Sequence, residues 1–295
     1  MKECVCFRIN NQYLDIIQEK IPLVEINPTH PYIVLPTNDK NVSLIHQMNQ
    51  QLDNKLYYYW DLLFEYTEED LKEASLFRVS FLNVVDSCGE EGGTKFDYST
   101  ACPLCGSGRR QIGDLHLLSN VSLKENTVYK TIGGEIIVPS FIRDVAIEYG
   151  LQGLIFLPVW VGKTISPDYL QLTTTSIIDI SPKTRFGVDF FDTDNITSMS
   201  EESFEICGYK INLPKEIYVC PNKDLVGFRL LSELSVFHNH YKEQCDFMKT
   251  AQYVGVKRGL INPEPLYVCS KKWFNAMEKT HIQGMGFEIV KVSEK

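Results

Sequence analysis

Cys102-Pro103-Leu104-Cys105-Gly106 carries the clearest chemistry in this sequence. Two cysteines two residues apart can turn both sulfurs toward one tetrahedral ion. Glycine directly after the second lets the turn aim backbone N–H groups back at those sulfurs. That is half of a zinc knuckle, and a structural zinc site takes four protein ligands, so another half must come from elsewhere in the chain. A redox dithiol is the rival reading. Such pairs usually open a helix whose N-terminus lowers the thiol pKa, and Gly106-Ser107-Gly108 opposes a helix here. Buried thiols without a metal are the third reading.

The second half has several candidates. Cys220-Pro221-Asn222-Lys223-Asp224 is a turn of the same kind, with Asp224 where a Cys or His could stand, and Cys207-Gly208 has a similar look. The expected ligand set is Cys102, Cys105 and Cys220 with either Cys207 or Asp224, holding one structural zinc. His238 and His240 are a weaker option. Catalytic signatures are absent from the sequence. Asp189, Asp192 and Asp194 lack the glycine and terminal glutamate of a calcium loop. Ser232-Glu233 has no elbow glycines, and no phosphate loop follows Gly133-Gly134. A non-catalytic protein is therefore expected.

Composition narrows the class. The chain has 295 residues, 44% hydrophobic and 23% charged, with a formal charge of −9. Nucleic-acid binders concentrate Lys and Arg to neutralise phosphates. Here the basic residues are scattered, with short pairs at Arg109-Arg110 and Lys257-Arg258. No apolar run nears the roughly 20 residues that span a bilayer, and Met1 to Cys6 reads as a strand, not a secretion signal. An odd count of nine cysteines without such a signal predicts reduced thiols and a cytoplasmic protein. The sequons at Asn41, Asn120 and Asn195 are then chance matches.

The elements that position these residues read as strands and helices in alternation. Strands are expected at Lys2–Ile9, Tyr32–Leu35, Leu56–Glu65 and Leu76–Val85. The aromatic run Tyr57 to Trp60 should be core packed on both faces, or less favourably a partner-binding patch. Apolar spacing predicts a helix over Ser43–Leu52, and Thr67 caps another. Asp86 to Thr100 should be a Gly- and acid-rich loop leading into the Cys102 turn. Further strands are expected at Gly113–Leu118, Thr127–Lys130, Phe204–Ile211, Ile217–Cys220 and Val226–Phe237. Asp189 to Glu202 reads as an exposed connection.

The chain also resembles itself. Ile136 to Val161 and Leu266 to Val292 align with Val138 on Val268, Ser140 on Ser270, Ala146 on Ala276 and Glu148 on Glu278. After one inserted residue, Gln152-Gly153 falls on Gln283-Gly284, and Phe156, Val159 and Val161 fall on Phe287, Val290 and Val292. The pattern describes a strand–helix–strand unit used twice. Ser140 and Ser270 are placed to cap the helices, and Gly153 and Gly284 allow the turn into the last strand. The expected fold is α/β (α+β), with mixed sheets and two pseudo-repeated modules. The N-terminal region would be 1–97, the knuckle with the first module 98–185, and the second module 186–295.

Val138, Ser140, Leu151, Gly153 and Phe156, and again Val268, Ser270, Ile282, Gly284 and Phe287, resemble the pattern of bacterial immunity proteins from polymorphic-toxin systems. Those with a double C-x-x-C-G motif also carry a zinc knuckle before the unit, as Cys102 to Gly106 does here. The resemblance covers roughly 98–161 and 216–292. C-x-x-C-G occurs once in this chain, with the second pair missing or reduced to Cys220. The resemblance implies a protein that binds and neutralises a cognate toxin, and the acidic balance suits a basic partner. An enzyme with a dispersed site and a zinc-ribbon nucleic-acid adaptor stay open, the latter resting on Arg109 and Arg110.

Overall fold

The computed structural model describes residues 1–21, 31–85, 87–188, 191, 199–206, 209–237, 245–259 and 261–294; for 199–215 it describes the backbone alone. The chain is mixed α+β. It divides into two compact units, Met1–Glu73 and Ala74–Lys295. The boundary falls before the strand at Leu76, inside the expected 1–97 region, because that strand pairs on both edges with the end of the chain.

The first unit is an antiparallel sheet in which β1 (Lys2–Ile9) lies between β2 (Tyr32–Pro36) and β3 (Tyr57–Glu65). Between them in sequence come α1 (Leu14–Lys20) and α2 (Lys40–Gln51), and α3 (Glu68–Glu73) follows β3. Helix α2 starts three residues before the expected position because the Asp39 carboxylate accepts from Asn41 N at 2.8 Å and caps it. Its buried Asn49 accepts from the backbone N–H groups of Leu56 and Tyr57, tying the helix end to β3. The aromatic run is packed on one face only. Tyr57, Trp60 and Leu62 are buried, while Tyr58 is 70% exposed.

The second unit contains two repeats. The first comprises β4 (Leu76–Phe81), β5 (Val84–Val85), α4 (Gly89–Gly92), β6 (Lys95–Asp97), β7 (Arg110–Ile112), β8 (Leu115–Leu117), β9 (Tyr129–Thr131), β10 (Ile136–Pro139), α5 (Phe141–Glu148) and β11 (Ile155–Val161). The second opens with β12 (Thr164–Thr173) and β13 (Ile177–Ile178), then β14 (Phe186–Gly187) and the hairpin β15 (Met199–Ile206) and β16 (Tyr209–Glu216). It continues through β17 (Tyr218–Val219), β18 (Leu225–Val226), β19 (Arg229–Leu230) and β20 (Ser235–Phe237). It ends on β21 (Phe247–Gly255), β22 (Glu264–Ser270), α6 (Lys271–Thr280) and β23 (Met285–Ser293).

The pairing shows that the repeats exchange their first strands. One sheet runs β5-β9-β10-β12-β11-β8, and the central path of the other runs β18-β21-β22-β4-β23-β20. Strand β12, which opens the second repeat, lies antiparallel between β10 and β11 of the first. Strand β4, which opens the first, lies antiparallel between β22 and β23 of the second. The aligned valines occupy matching places: Val138 pairs with Leu170, and Val268 with Arg78. The short strands after the exchanged ones return home, β5 parallel to β9 and β13 parallel to β21. The exchange explains why Leu76–Val85 is not one strand. At Leu82 the chain leaves one sheet for the other, with Leu82 N–H donating to Gly284 O. Val226–Phe237 also breaks, into β18, β19 and β20, which pair with β21, β14 and β23 in turn.

The repeated helices begin differently from expectation at one point. Ser270 caps α6, its Oγ accepting from Trp273 N at 3.1 Å. Ser140 has helical backbone angles and makes no side-chain cap to α5. Instead its N–H donates to Asp168 O on β12. The turn glycines match expectation, with φ of +84° at Gly153 and +88° at Gly284. A Cβ at Gly284 would stand 2.4 Å from Val128 O, and one at Gly153 would stand 2.8 Å from Phe247 O. The segment expected to be a loop at Asp86–Thr100 contains α4 and β6. Helix α4 forms because the Glu91 side chain accepts from Cys88 N in a capping box. Among the described residues no helix is long and apolar enough to cross a membrane.

Candidate metal centre

Cys102 and Cys105 sit in the turn between β6 and β7, and Cys220 and Asp224 in the turn between β17 and β18. The two turns belong to different repeats. The fold brings three sulfurs and one carboxylate oxygen within 4.8 Å of one another. All four residues are excluded from water, at 3% exposure or less. Val226 and Tyr218 pack around them.

Each turn has a local reason for its shape. Gly106 holds φ at +74°, and Cys102 N–H donates to Ser107 O while Gly106 N–H donates to Cys102 O. In the second turn Lys223 takes the left-handed conformation at φ +66°. There Cys220 N–H donates to Asp224 O, and Lys223 N–H to Cys220 O. Both hydrogen-bonded rings are one residue shorter than in the first turn. In the second turn the ligating Asp224 is itself the residue that closes the ring, four positions after Cys220, which hides the pair from a search for C-x-x-C.

The side chains already converge. The Cys220 thiol donates to Asp224 Oδ2 at 3.1 Å and the Cys105 thiol to the same oxygen at 3.5 Å. Ser107 Oγ lies 3.0 Å from Cys105 Sγ and donates to Asp224 Oδ2. Asp224 Oδ1 accepts from Tyr253 N on β21 at 2.9 Å, which fixes the carboxylate from outside the cluster. Asp224 N–H points at Cys220 Sγ at 3.3 Å. Burial pushes the Cys220 thiol up to about 12, and its hydrogen bond to Asp224 acts the same way. Burial also raises Cys105. Burial acts to raise Cys102 as well, but N–H groups of Cys105 and Leu104 aimed at its sulfur leave it net lowered.

The donor set fits a metal ion. A tetrahedral ion with sulfurs at ~2.3 Å needs sulfur–sulfur edges of ~3.8 Å, within the span observed. The carboxylate gives a second argument. No Lys, Arg or His among the described residues pairs with Asp224, and a buried carboxylate without a cation is costly. A cation bound between the two turns would remove that cost.

Of the five expected ligands, Cys102, Cys105, Cys220 and Asp224 are brought together. Cys207, His238, His240, Asp189, Asp192 and Asp194 lie outside the described residues. Ser107 and Tyr253 were not expected at the cluster. Ser107 follows directly on C-x-x-C-G, whereas nothing in the sequence marks Tyr253. The eight described cysteines are free thiols.

The basic pair beside the turn is split by the fold. Arg109 is buried between Glu90 at 2.5 Å and Glu135 at 3.3 Å, with its guanidinium 4.0 Å from the Phe96 ring centroid. Only Arg110 reaches solvent, beside Asp97 at 3.2 Å. Arg109 is therefore already neutralised and has no charge left for a phosphate.

Compared with known proteins, the chain matches no family model and no curated protein.

Proposed function

We propose that this protein is a non-catalytic, immunity-type protein of the cytoplasm that binds and neutralises a cognate toxin, with one structural zinc ion held by Cys102, Cys105, Cys220 and Asp224. The observation that carries the reading is the buried tetrad drawn from both repeats. Four protein donors fill a tetrahedral shell and leave no open position for substrate or water, which is the arrangement of a structural site. Bound there, the ion would neutralise Asp224 and the thiolates and join the two turns. The −9 charge supports a basic partner, since complementary charge speeds encounter and suppresses wrong partners.

Two experiments test the two parts separately. Elemental analysis of purified protein should find about one zinc per chain; well-folded protein that takes up no zinc refutes the clasp. Co-expression with the toxic product of an adjacent gene should restore growth and give a complex that co-purifies. Absence of both rescue and complex with every neighbouring product refutes the immunity reading and leaves the metal result standing.

A further inference from the structure

A cavity of about 570 Å³ opens within the Ala74–Lys295 unit, lined by β10, β11 and β12 on one side and β21 and β22 on the other. Gly106 and Ser107 of the cysteine turn form part of its rim. On the β11–β12 side Ile155 and Leu157 share one sheet face with their partners Thr173 and Gln171. The opposite wall carries Lys249, Tyr253 and Tyr267. Lys249 and Tyr267 are direct partners across the β21–β22 pairing. The Tyr267 ring is held in place, stacked on Phe247 at 5.5 Å and edge-on to Phe81 at 5.6 Å.

The charges around this cavity are paired with one exception. Arg109 pairs with Glu90 and Glu135, Arg110 with Asp97, and Glu264 with Lys130 at 2.6 Å. Among the described residues the Lys249 ammonium has no carboxylate partner, and the Tyr253 and Tyr267 hydroxyls have no hydrogen-bond partner. Burial lowers the Lys249 pKa and raises those of both tyrosines. Three unpartnered donors thus line one space in which the side-chain acceptors are engaged elsewhere, Glu135 with Thr131 and Arg109, Glu264 with Lys130 and Gln171 with Gln111. Half-buried donors without acceptors are costly, and a ligand that supplies them recovers that cost.

We propose that this cavity binds a small organic carboxylate. Its carboxylate accepts from Lys249 Nζ and the Tyr253 and Tyr267 hydroxyls, and its hydrocarbon body lies against Ile155 and Leu157. One uncompensated cation matches one negative charge. A phosphate dianion would need a second cation, and the others lining the cavity are already paired. Charge-assisted hydrogen bonds to a carboxylate are the strong kind, and apolar side chains beside a few convergent polar groups are what orient small ligands. The proposal stands independently of the toxin and metal readings.

The test is calorimetric titration of the full-length protein with acetate, hexanoate and benzoate, against benzamide and inorganic phosphate. Saturable one-site binding is expected for hexanoate or benzoate, with benzamide at least tenfold weaker than benzoate. Lys249→Met should weaken carboxylate binding at least tenfold. Tyr267→Phe, which keeps the ring stack, should weaken it severalfold and guards against a folding defect in the first variant. Three results overturn the proposal: no saturation with any of the three carboxylates, benzamide or phosphate binding as tightly as benzoate, or carboxylate affinity unchanged in both variants.

Discussion

Asp224→Asn gives opposite outcomes for a metal ligand and for a merely buried acid. The change is isosteric, and the amide oxygen can keep the bond from Tyr253 N that Oδ1 accepts at 2.9 Å. With a metal bound, it removes an anionic ligand. Loss of even an outer partner of a metal site costs 10–100-fold in affinity, so about 100-fold is a modest expectation for a ligand. At fixed free zinc above the dissociation constant, a 100-fold weaker site loses about 2.7 kcal/mol of stabilisation. For a domain of 150–250 residues each kcal/mol moves the melting temperature by about 2–4 °C, giving a drop of roughly 5–10 °C. Without a metal the sign reverses. Asp224 is then a buried carboxylate with no cation, and neutralising it leaves stability level or raises it. Calorimetric melting of both proteins, with added zinc and with chelator, separates the cases. The expected pattern is a wild type that chelator destabilises and a variant that melts lower than wild type in zinc. A wild type indifferent to chelator, with a variant melting at the same temperature or higher, refutes the metal site.

Three further outcomes follow from the same geometry. The metal-free protein should lose stability as pH rises, because the Cys220 thiol sits at about 12, above the usual 9.0; its contribution is complete below 9.0 and disappears as pH climbs toward about 12. The zinc-loaded protein should instead lose metal on acidification, as protons compete for the thiolates, so melting curves across pH should run in opposite directions with and without chelator. Ser270→Ala removes a cap and also the hydroxyl that donates to Asp246 Oδ1 at 2.5 Å, so it should cost about 1–2 kcal/mol in urea unfolding, while Ser140→Ala, with no cap to lose, should stay within about 0.5. Gly284→Ala adds a Cβ to a left-handed residue 2.4 Å from a backbone oxygen, and should cost at least the ~1–3 kcal/mol of a strained backbone; a smaller loss would show that the turn can open.

How much of this was legible depends on the range over which each feature is encoded. The turn at Cys102 was readable because its spacing and its glycine are local. The repeat was readable from Val138, Gly153 and their partners because burial and left-handed turns constrain residue type. The second turn was readable from Cys220 and Asp224, but Asp224 stood only as an alternative to Cys207, because a donor four positions after Cys220 lies outside the C-x-x-C spacing. The cap at Ser270 was legible, whereas Ser140 has the same residue type without the cap geometry. The exchange of β4 and β12 was not legible. Leu76–Phe81 and Thr164–Thr173 are ordinary strands by sequence, and nothing within either segment states which pair of neighbours it will enter. The unpaired donors of Lys249, Tyr253 and Tyr267 were invisible for the same reason, since they exist only once two sheets meet.

The exchange changes what a metal clasp has to do. Each of the two large sheets of the second unit lacks an interior strand unless the other repeat supplies it, so neither repeat can complete its core alone. The insertion is itself a tie: Arg78 on the exchanged β4 makes a bidentate pair with Glu288 on β23, with nitrogen–oxygen distances of 3.1 and 2.5 Å. Two repeats locked this way do not need an ion to stay together. What the exchange leaves loose is the pair of turns outside the sheets, where sulfur and carboxylate side chains face each other and Gly106 and Ser107 border the cavity. A metal there would act on the order of those turns and of the cavity rim. Removing it should therefore loosen hydrogen-exchange protection around Cys102–Gly108 and Cys220–Asp224 before it affects β10, β12, β22 or β4. Simultaneous loss across both sets would show that the strand exchange does not hold the core by itself.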